Sequence, residues 1–354
     1  MKIGVLTYHV DLNAGAMLQC YCTCSAIKEL GHEPYIIDLY HFPGNPYGIK
    51  AIAGYIANSG SLIRQASLRK KLYPPYTKHY KNVDELRNDP PVLDAYCIGS
   101  DQVWNTKISG VNHMAYFLDF GDANVKRFSY ASSIGNSGWM ISDEDENKRI
   151  KCLFENYTGL SVREQSAAAI LEKEFGLKAK IVCDPVLLHK RLDDIIESNI
   201  STGEVSCLIF QRNKTILDAL HVVGDYCGAP MRMVTSVVPI KGYRYTYFKD
   251  LHSWLKYMTG SVFNITDSFH ATVVSLLYHK PFAVVYQENG LSSRISDLLS
   301  VAGLSDRIFF DIEEFKKSDK WKQPIDWDDV DERLEQYRQV SWRYLNDTIE
   351  KIKK

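Results

Sequence analysis

The sequence has no long apolar run. No stretch approaches the about 18 consecutive apolar residues that a membrane helix needs. The N-terminus, MKIGVLTYHV, lacks the apolar core and small-residue cleavage site of a secretory signal. We therefore expect a cytoplasmic protein without an integral membrane segment, with peripheral association at the inner face of the membrane as an alternative.

The sequence also lacks an excess of charge of either sign. Its 42 Lys and Arg residues face 43 Asp and Glu residues, which gives a formal net charge of −1. No global field would draw such a chain onto nucleic acid or anionic lipid. We expect no nucleic-acid partner, and any anionic ligand must be held by a local site.

The cysteine pattern does not match a metal site. Cys20, Cys22 and Cys24 alternate, but in a helix these positions point in different directions, and no nearby histidine pair completes a zinc spacing. In a reducing compartment the eight cysteines would stay reduced. We expect buried free thiols and no metal.

Several nucleotide and catalytic motifs are missing. The segment from Tyr8 to Gly15 stands where a dinucleotide-binding protein has GxGxxG, and no GxxxxGK[ST] phosphate loop occurs. There is neither an Asp-x-Asp signature at a strand end nor a GxSxG elbow. These absences disfavour NAD and P-loop chemistry, and we expect no bound cofactor.

What is present is an ordinary globular composition, 45% hydrophobic and 24% charged, in a chain too long for a single core. Strand-like and helix-like segments alternate throughout, which predicts parallel sheets. We predict an α/β fold of two Rossmann-like doubly wound domains facing a cleft, residues 1–185 and 186–325. A helix within 326–354 is predicted to pack back on the first domain.

The predicted first domain opens with a strand from Lys2 to Tyr8, a loop through Asn13 and Gly15, a helix ending near Gly31 and a strand from Pro34 to Leu39. Residues 41–60 look like a long loop, followed by a basic helix over 61–72. Later strands are predicted at 95–98, 128–134, 160–162 and 180–183, with a helix at 163–176. In the second domain we predict strands at 205–210, 231–237, 262–266 and 282–286, and helices at 214–226, 247–258, 268–278 and 292–301.

The most informative segment is Asn264 to Thr272, where an apolar strand gives way to a helix. Asp267 or Ser268 can cap the helix, which places His270 in its first turn. Free backbone N–H groups and the helix dipole favour an anion there, and a histidine can also move protons near neutral pH. The alternative is a purely structural histidine.

Arg163 occupies a similar junction in the first domain, within GLSVREQS at 159–166. Its planar fork can hold a carboxylate or phosphate through two hydrogen bonds. The alternative is an ion pair with Glu164 or Glu172. Arg294 lies at the start of the helix that follows the next strand after His270, and the two side chains can share an anion. The alternative is that Arg294 is an exposed helical arginine.

A polar loop, GSDQVWN at 99–105, follows the strand at 95–98. Such residues are costly to bury without hydrogen bonds, so a ligand loop is plausible. Asp101 can orient or deprotonate a sugar hydroxyl, and Trp104 can stack on a sugar. Alternatively, Asp101 caps the next segment and Trp104 lies in the domain interface.

Together these segments resemble the polysaccharide pyruvyl transferase family. Their order and spacing carry the resemblance over nearly the whole chain: Asn13 to Ala16, GSDQVWN at 99–105, SYASSIG at 129–135, LSVREQS at 160–166, CDPVLL at 183–188, TDSFHATVVSLL at 266–277, SRISDLL at 293–299 and Gly303 to Arg307. Two positions depart from it, because many members have Gly where this chain has Ala271 and some have Lys at Arg294.

The resemblance implies a fold similar to the GT-B glycosyltransferases and transfer of the carboxyvinyl unit of phosphoenolpyruvate to a saccharide, closing a pyruvate ketal and releasing phosphate. The acceptor would be a free, lipid-linked or nucleotide-linked sugar. By motif position, Arg163, His270 and Arg294 would bind phosphoenolpyruvate, and the loops around Asn13 and Asp101 would face the acceptor. The predicted catalytic residues are His270, Arg163 and Asp101, and the predicted substrate-binding residues are Arg294, Ser268, Asn13, Gly15, Ser100, Gln102 and Trp104.

Two roles for His270 remain open at this stage, protonation of the phosphoenolpyruvate methylene carbon and binding of its phosphate. Two other functions also remain open. One is a glycosyltransferase of similar architecture that uses a nucleotide sugar, and the other is a non-catalytic saccharide-binding relative. The acceptor sugar, its linkage and the oligomeric state are not predicted.

Overall fold

A computed structural model describes residues 1–9, 13–40, 66–190, 192, 194–196, 200–209, 214–235, 243–247, 251–286 and 293–353. The described chain divides into two compact units. The first unit holds the residues up to Leu188 together with those from Tyr337 onward, and the second runs from His189 to Gln336. The predicted loop at 41–60 and the first part of the helix at 61–72 lie outside the described residues.

The first unit is built on a parallel sheet of β1 (Lys2–Leu6), β2 (Glu33–Ile36), β3 (Ala95–Ile98), β4 (Lys126–Ser129) and β5 (Tyr157–Gly159). The strands lie in the order β2-β1-β3-β4-β5. In this arrangement the strand order reverses between β1 and β3, the point at which open α/β sheets bind ligands beyond the strand ends. A two-stranded parallel sheet, β6 (Ser161–Val162) and β7 (Lys180–Ile181), follows.

Helices cover the strands of the first unit. They are α1 (Ala14–Glu29), α2 (66–72), α3 (Val83–Asn88), α4 (Thr106–Ser109), α5 (Glu144–Glu155), α6 (Gln165–Phe175) and α7 (Pro185–Leu188), with a 3-10 helix at Gly110–Phe117. Asn13 caps α1, since its side chain accepts a hydrogen bond from Gly15 N at 2.9 Å. Cys20, Cys22 and Cys24 are buried free thiols on this helix, as predicted.

The second unit contains a parallel sheet in the order β10-β9-β8-β11-β12-β13. Its strands are β8 (Val205–Leu208), β9 (Met231–Thr235), β10 (Arg244–Tyr247), β11 (Phe263–Thr266), β12 (Phe282–Val285) and β13 (Ile308–Phe309). Counted within the unit this is 3-2-1-4-5-6, the strand order of dinucleotide-binding Rossmann domains. The order reverses between β8 and β11, so the carboxyl ends of those two strands mark the expected ligand position.

The helices of the second unit are α8 (Lys214–Cys227), α9 (Leu251–Gly260), α10 (Phe269–Leu277), α11 (Ser293–Val301) and α12 (Ile312–Lys317). Every residue of α10 is buried, in keeping with its nearly continuous apolar sequence. The last helix, α13 (Trp327–Ile352), begins in this unit and ends in the first. There Ser341 Oγ accepts from Cys183 N at 2.8 Å, and Tyr344 OH donates to Ser129 O at 3.0 Å.

The prediction of an α/β fold with two parallel-sheet units is confirmed, and three element boundaries are corrected. The strand expected at 128–134 ends at Ser129, because the chain then turns, with Ala131 at φ +54°. The strand expected at 180–183 ends at Ile181. The helix expected at 247–258 is described from Leu251 onward, and Tyr247 belongs instead to β10, which pairs with β9.

Candidate functional site

His270 lies in the first turn of α10, directly after β11. Ser268 is the N-cap residue, and its hydroxyl accepts from Ala271 N at 3.4 Å. His270 is 8% exposed. The first N–H groups of a helix have no partner within the helix, and the positive end of the helix dipole lies at the same turn. The segment can therefore hold an anion beside an imidazole.

The turn that carries His270 is fixed at the point where the strand order of the second unit reverses. Thr266 Oγ1 donates to Leu208 O at 2.8 Å, which ties the end of β11 to the end of β8. Ser268 N donates to Thr266 Oγ1 at 2.9 Å. Tyr286, after β12, donates its hydroxyl to Asp267 O. Three strand ends thus meet around the loop that precedes His270.

Arg294 lies close to this turn. It is half-buried in the first turn of α11, and its guanidinium carbon is 5.8 Å from the centroid of the Phe269 ring. The same ring contacts the His270 imidazole edge-on, at 5.3 Å between centroids and 85° between planes. A cation over an aromatic face is held in place without losing its charge. The second unit therefore brings His270 and Arg294 into contact with the same phenylalanine ring.

Arg163, at the carboxyl end of β6, is buried within the first unit. Its Nη1 donates to Asp184 Oδ2 at 2.5 Å, with side chains 2% and 0% exposed, and its Nη2 lies 3.9 Å from Asp101 Oδ1. Burial alone would lower the pKa of Arg163, but the carboxylates of Asp184 and Asp101 raise it above its ordinary value. The partner Asp184 was not foreseen from the sequence, which suggested Glu164 or Glu172.

The GSDQVWN loop contacts the buried Arg163–Asp184 pair through Asp101 and Ser100. Asp101 adopts φ +81°, a conformation that is costly for a non-glycine residue and is common at functional sites. Its carboxylate accepts from Gln102 N at 2.8 Å, and Ser100 Oγ donates to Asp184 Oδ2 at 3.2 Å. Asp101 does not cap the next helix, because the N-cap residue of α4 is Asn105, whose side chain accepts from Lys107 N at 3.2 Å.

Gln102 and Glu164 tie this loop to the segment at 133–135. Gln102 Oε1 accepts from Asn105 Nδ2 at 3.2 Å, and a Cβ on Gly135 would lie 2.1 Å from the same oxygen. Glu164 Oε1 accepts from Ser133 Oγ at 2.7 Å and from Ile134 N at 3.1 Å. The sequence suggested Glu164 as an ion-pair partner of Arg163, but its carboxylate is instead bound by Ser133 and Ile134.

Trp104 has a different environment from the sugar platform expected for it. Its ring is 2% exposed, and its indole N–H donates to Tyr116 O at 2.9 Å. It packs against Phe117 and Phe154 in the core of the first unit. Trp104 is therefore a core residue, and its buried ring does not offer a surface on which a sugar could stack.

The described part of the chain lacks both a metal-binding cluster and a membrane-spanning helix. There, no group of three or more His, Cys, Asp or Glu residues is arranged to hold a metal ion. No helix within the same residues is both long and apolar enough to cross a membrane.

The fold is similar to several enzymes of known structure, all at low identity. UDP-N-acetylglucosamine 2-epimerase from Rickettsia bellii matches with a TM-score of 0.50 and 11% identity, over 99% of this chain and 96% of that one. LpCGTa, solved in complex with UDP, matches at 0.52 and 11% over 100% and 99%. A mutant O-GlcNAc transferase from Thermobaculum terrenum matches at 0.52 and 13% over 99% and 67%. At these identities the likeness establishes a GT-B-like fold.

Sequence comparison identifies the family directly. No curated protein matches the chain at a significant level. The model of one family, described as polysaccharide pyruvyl transferase, matches residues 13–289. That range contains the GSDQVWN loop, Arg163, Asp184 and the His270 turn. The chain belongs to the polysaccharide pyruvyl transferase family.

Proposed function

We propose that this protein transfers pyruvate from phosphoenolpyruvate to a saccharide and closes a pyruvate ketal across two sugar hydroxyls. The observation that carries the proposal is the His270 turn, a helix N-terminus at the strand-order reversal with Arg294 beside it. In phosphoenolpyruvate the phosphate and the carboxylate are both attached to C2. The N–H groups of the turn, His270 and Arg294 can donate hydrogen bonds to both. Membership of a polysaccharide pyruvyl transferase family supports a saccharide as the acceptor.

In this proposal the two anionic groups are held separately. The N–H groups of the first turn of α10 and the imidazole of His270 receive the phosphate, since helix N-termini favour anions. The Arg294 guanidinium, held over Phe269, pairs with the carboxylate through its planar fork. Arg163 was expected to bind phosphoenolpyruvate, but it is buried against Asp184, so we assign it to holding the Asp101 loop.

The reaction begins with a proton added to the methylene carbon, which makes C2 cationic and open to a sugar hydroxyl. The C2–O bond to phosphate then breaks, and a second hydroxyl captures C2 to close the ketal. Arg294 and the first turn of α10 stabilise the departing phosphate charge electrostatically. We assign the proton donor role to His270, because it is the titratable side chain within this turn.

Replacing His270 with Gln tests that assignment. Gln keeps a hydrogen-bond donor but cannot move a proton, so we expect phosphoenolpyruvate to bind within a few-fold of wild type while turnover falls by about 100-fold or more. Binding is measured by calorimetry and turnover by phosphate release. Loss of binding in His270→Gln would instead limit the role of His270 to binding the phosphate and would reject it as the proton donor. His279→Gln, an exposed histidine in the same unit, is the control.

The competing function is sugar transfer from a nucleotide sugar, raised by the GT-B-like fold and by the UDP complex of LpCGTa. A thermal-shift screen separates the two, because a ligand that binds the folded state raises Tm. We expect phosphoenolpyruvate to raise Tm and uridine or guanosine diphosphate to leave it unchanged. Stabilisation by a nucleotide diphosphate without any effect of phosphoenolpyruvate would reject the pyruvyl transfer proposal.

A further inference from the structure

The first unit carries a cluster of polar and aromatic side chains at the carboxyl ends of β1 and β2. His9 follows β1, and its Nε2 is 3.1 Å from Asp38 Oδ1. Asp38 follows β2, and its Oδ2 is 3.2 Å from His79 Nδ1. The ring of Tyr40 meets the His79 ring edge-on, at 6.2 Å between centroids and 85° between planes. Open α/β sheets bind ligands outside the carboxyl ends of their strands, so the cluster lies where a ligand is expected.

Backbone hydrogen bonds hold the accessible members of this cluster in place. Tyr80 N donates to Asp38 O, and Tyr40 N donates to Tyr80 O, each at 2.7 Å. Asp38 N donates to Thr77 Oγ1 at 3.0 Å. The backbone that carries Asp38, His79 and Tyr40 is therefore ordered before any ligand arrives. A site ordered in advance loses less conformational entropy when it binds.

The carboxylate of Asp38 keeps acceptor capacity for a ligand. Burial would raise the pKa of Asp38, but the hydrogen bond and charge of His9, together with His79, lower it below its ordinary value. A carboxylate has about four lone-pair positions, and the two imidazoles approach one on each oxygen. The Asp38 side chain is 23% exposed. Hydrogen-bond donors from solution can therefore reach an ionised carboxylate at this position.

The two histidines of the cluster have different surroundings. His9 is 1% exposed at its side chain, and its two ring nitrogens face Thr7 O and Asp38, each at 3.1 Å. His9 therefore serves to hold Asp38. The His79 side chain is 51% exposed, and its contact with Asp38 is made through Nδ1. Its Nε2 can bind a hydroxyl group in either protonation state, because a hydroxyl both donates and accepts.

Two other histidines of the described chain have carboxylate partners but offer less to a ligand. The His279 ring, beside Asp331, is stacked on Trp327 at 4.8 Å between centroids and 14° between planes. The ring nitrogens of His113 face Gly110 O and Glu146. His79 differs from both, because its ring meets a neighbouring aromatic ring only edge-on and its Nδ1 alone faces a protein acceptor.

The chemistry of the accessible side chains favours a neutral ligand rich in hydroxyl groups. Asp38 accepts hydrogen bonds, and His79 can bind a hydroxyl beside it. The Tyr40 ring is 40% exposed and offers a flat apolar surface next to these polar groups. A phosphate would be repelled by the Asp38 carboxylate. An aromatic surface with a few fixed polar groups is typical of a small-molecule site, and a pyranose ring has one apolar C–H face and several hydroxyls.

We propose that Asp38, His79 and Tyr40 form a subsite for one neutral sugar unit of the saccharide acceptor, with His9 as the positioning residue of Asp38. Asp38 and His79 bind hydroxyl groups of that sugar, and the Tyr40 ring packs against its C–H face. The subsite binds the saccharide and takes no part in the transfer of pyruvate. It rests on the proposed function only in that the bound saccharide is the acceptor.

Glycoside binding without phosphoenolpyruvate tests the subsite. Wild type is applied to an immobilised panel of neutral hexose, N-acetylhexosamine, free-amine hexosamine and uronic acid glycosides, and the Kd of the best neutral glycoside is measured by calorimetry. We expect wild type to bind neutral glycosides. Tyr40→Ala and His79→Ala should each raise the Kd about 5- to 10-fold, as for one lost contact. Asp38→Asn should raise it about 10- to 100-fold, because a charged acceptor is lost.

The control is His279→Ala, which removes a histidine with a carboxylate partner at 3.1 Å and should bind as wild type does. Tyr40 and His79 are partly exposed, so their variants should fold, which circular dichroism checks. Wild type that binds no glycoside would overturn the subsite, as would folded Tyr40→Ala and His79→Ala proteins with the Kd of wild type. A preference for free-amine or uronic acid glycosides would overturn the assignment of a neutral sugar.

Phosphate release from phosphoenolpyruvate is measured separately with the same glycosides. Release that depends on a glycoside whose Kd rises in Tyr40→Ala and His79→Ala supports both the subsite and the proposed function. Glycoside binding that depends on these two residues but gives no phosphate release would reject pyruvyl transfer and leave the saccharide subsite standing. The failure of one is therefore distinguished from the failure of the other.

Discussion

Arg163 and Asp184 form a buried ion pair that joins the ends of β6 and β7 in the first unit. Arg163 Nη1 and Asp184 Oδ2 are 2.5 Å apart, and neither side chain is more than 2% exposed. Asp184 also accepts from Ser100 Oγ, and the far side of the guanidinium faces Asp101. The pair therefore connects two strand ends to the GSDQVWN loop, whose Asp101 is held at positive φ.

Replacing Asp184 with Asn should destabilise the protein strongly. The change leaves a buried guanidinium without its main counter-charge, and breaking a buried pair on one side costs about 3–5 kcal/mol. Urea denaturation followed by circular dichroism measures the loss. Asp331→Asn breaks an exposed contact to His279 and should cost about 0–1 kcal/mol. Equal losses in the two variants would contradict the structural role given to Arg163 and Asp184.

Gly135 should be sensitive to a single added methyl group. It has φ +74°, and a Cβ there would lie 2.1 Å from Gln102 Oε1. Gly138 has φ +71° with no atom within 4 Å of its Cβ position, so Gly138→Ala carries the same backbone strain without the clash. Because Gln102 Oε1 ends a flexible side chain, the methyl group displaces the Gln102 amide from Asn105. We expect Gly135→Ala to be less stable than Gly138→Ala by about 0.5–1.5 kcal/mol, the value of one hydrogen bond.

The same pair of variants tests whether the Gln102 loop contacts the acceptor. Displacing Gln102 should raise KM for the saccharide in Gly135→Ala and leave KM for phosphoenolpyruvate unchanged. Steady-state kinetics with each substrate varied in turn makes the comparison. An unchanged saccharide KM in a folded Gly135→Ala protein would remove Gln102 from the acceptor site.

Glu204 should give the second unit a stability that depends on pH. Arg232 donates to both carboxylate oxygens of Glu204, and Arg244 Nη1 lies 3.4 Å from Glu204 Oε1. The carboxylate that precedes β8 therefore binds arginines at the starts of β9 and β10. The hydrogen bond from Arg232 is the main cause that lowers the pKa of Glu204 below its ordinary value of 4.5. A lowered pKa in the folded state stabilises the fold above the ordinary value, and this contribution is lost as pH falls through the lowered one.

The variant Glu204→Gln isolates that contribution. At pH 7 it should be less stable than wild type by about 1–3 kcal/mol, as expected for a lost charged hydrogen bond. The difference should shrink as pH is lowered below 4.5. Unfolding curves at a series of pH values provide the measurement, with the exposed Glu350→Gln as the control. A difference that stays constant down to pH 3 would contradict the assignment.

Arg294 should contribute to binding of the donor substrate. Arg294→Met keeps the side-chain contact with Phe269 but removes the charge, and a hydrogen bond to a charged group is worth about 1.5–3 kcal/mol. We expect the Kd for phosphoenolpyruvate to rise about 10- to 100-fold, measured by calorimetry. Arg333→Met, which breaks an exposed pair with Asp329, should leave it unchanged. A Kd equal to wild type in Arg294→Met would remove this residue from the site.

The sequence predicted those parts of the fold that depend on local pattern. Apolar runs located the buried strands of both sheets. Ser268 could be identified as a helix cap because Ser at such a junction satisfies an orphan N–H group. Arg294 could be placed near His270 because consecutive strands of a doubly wound sheet often lie side by side.

Contacts between distant segments could not be predicted in the same way. Asp184 pairs with Arg163, 21 residues away in the sequence, and Asp38 contacts His79, 41 residues away. Only the order of the strands in the sheet brings such distant residues into contact. The polar loop around Trp104 predicts a ligand-binding residue, but the 3-10 helix at Gly110–Phe117 packs against the Trp104 ring. β10 was missed because the predicted helix at 247–258 took in Tyr247, and only the pairing with β9 identifies Arg244–Tyr247 as a strand.

The central claim is that phosphoenolpyruvate donates pyruvate to a saccharide at the His270 turn. Its most direct test is one incubation of the purified protein with phosphoenolpyruvate and a panel of free, lipid-linked and nucleotide-linked sugars, with phosphate and sugar masses measured together. We expect phosphate release only with certain sugars, matched by an equal amount of sugar heavier by one pyruvate less one water. Phosphate release that is absent, or that occurs without any such adduct, would contradict the account.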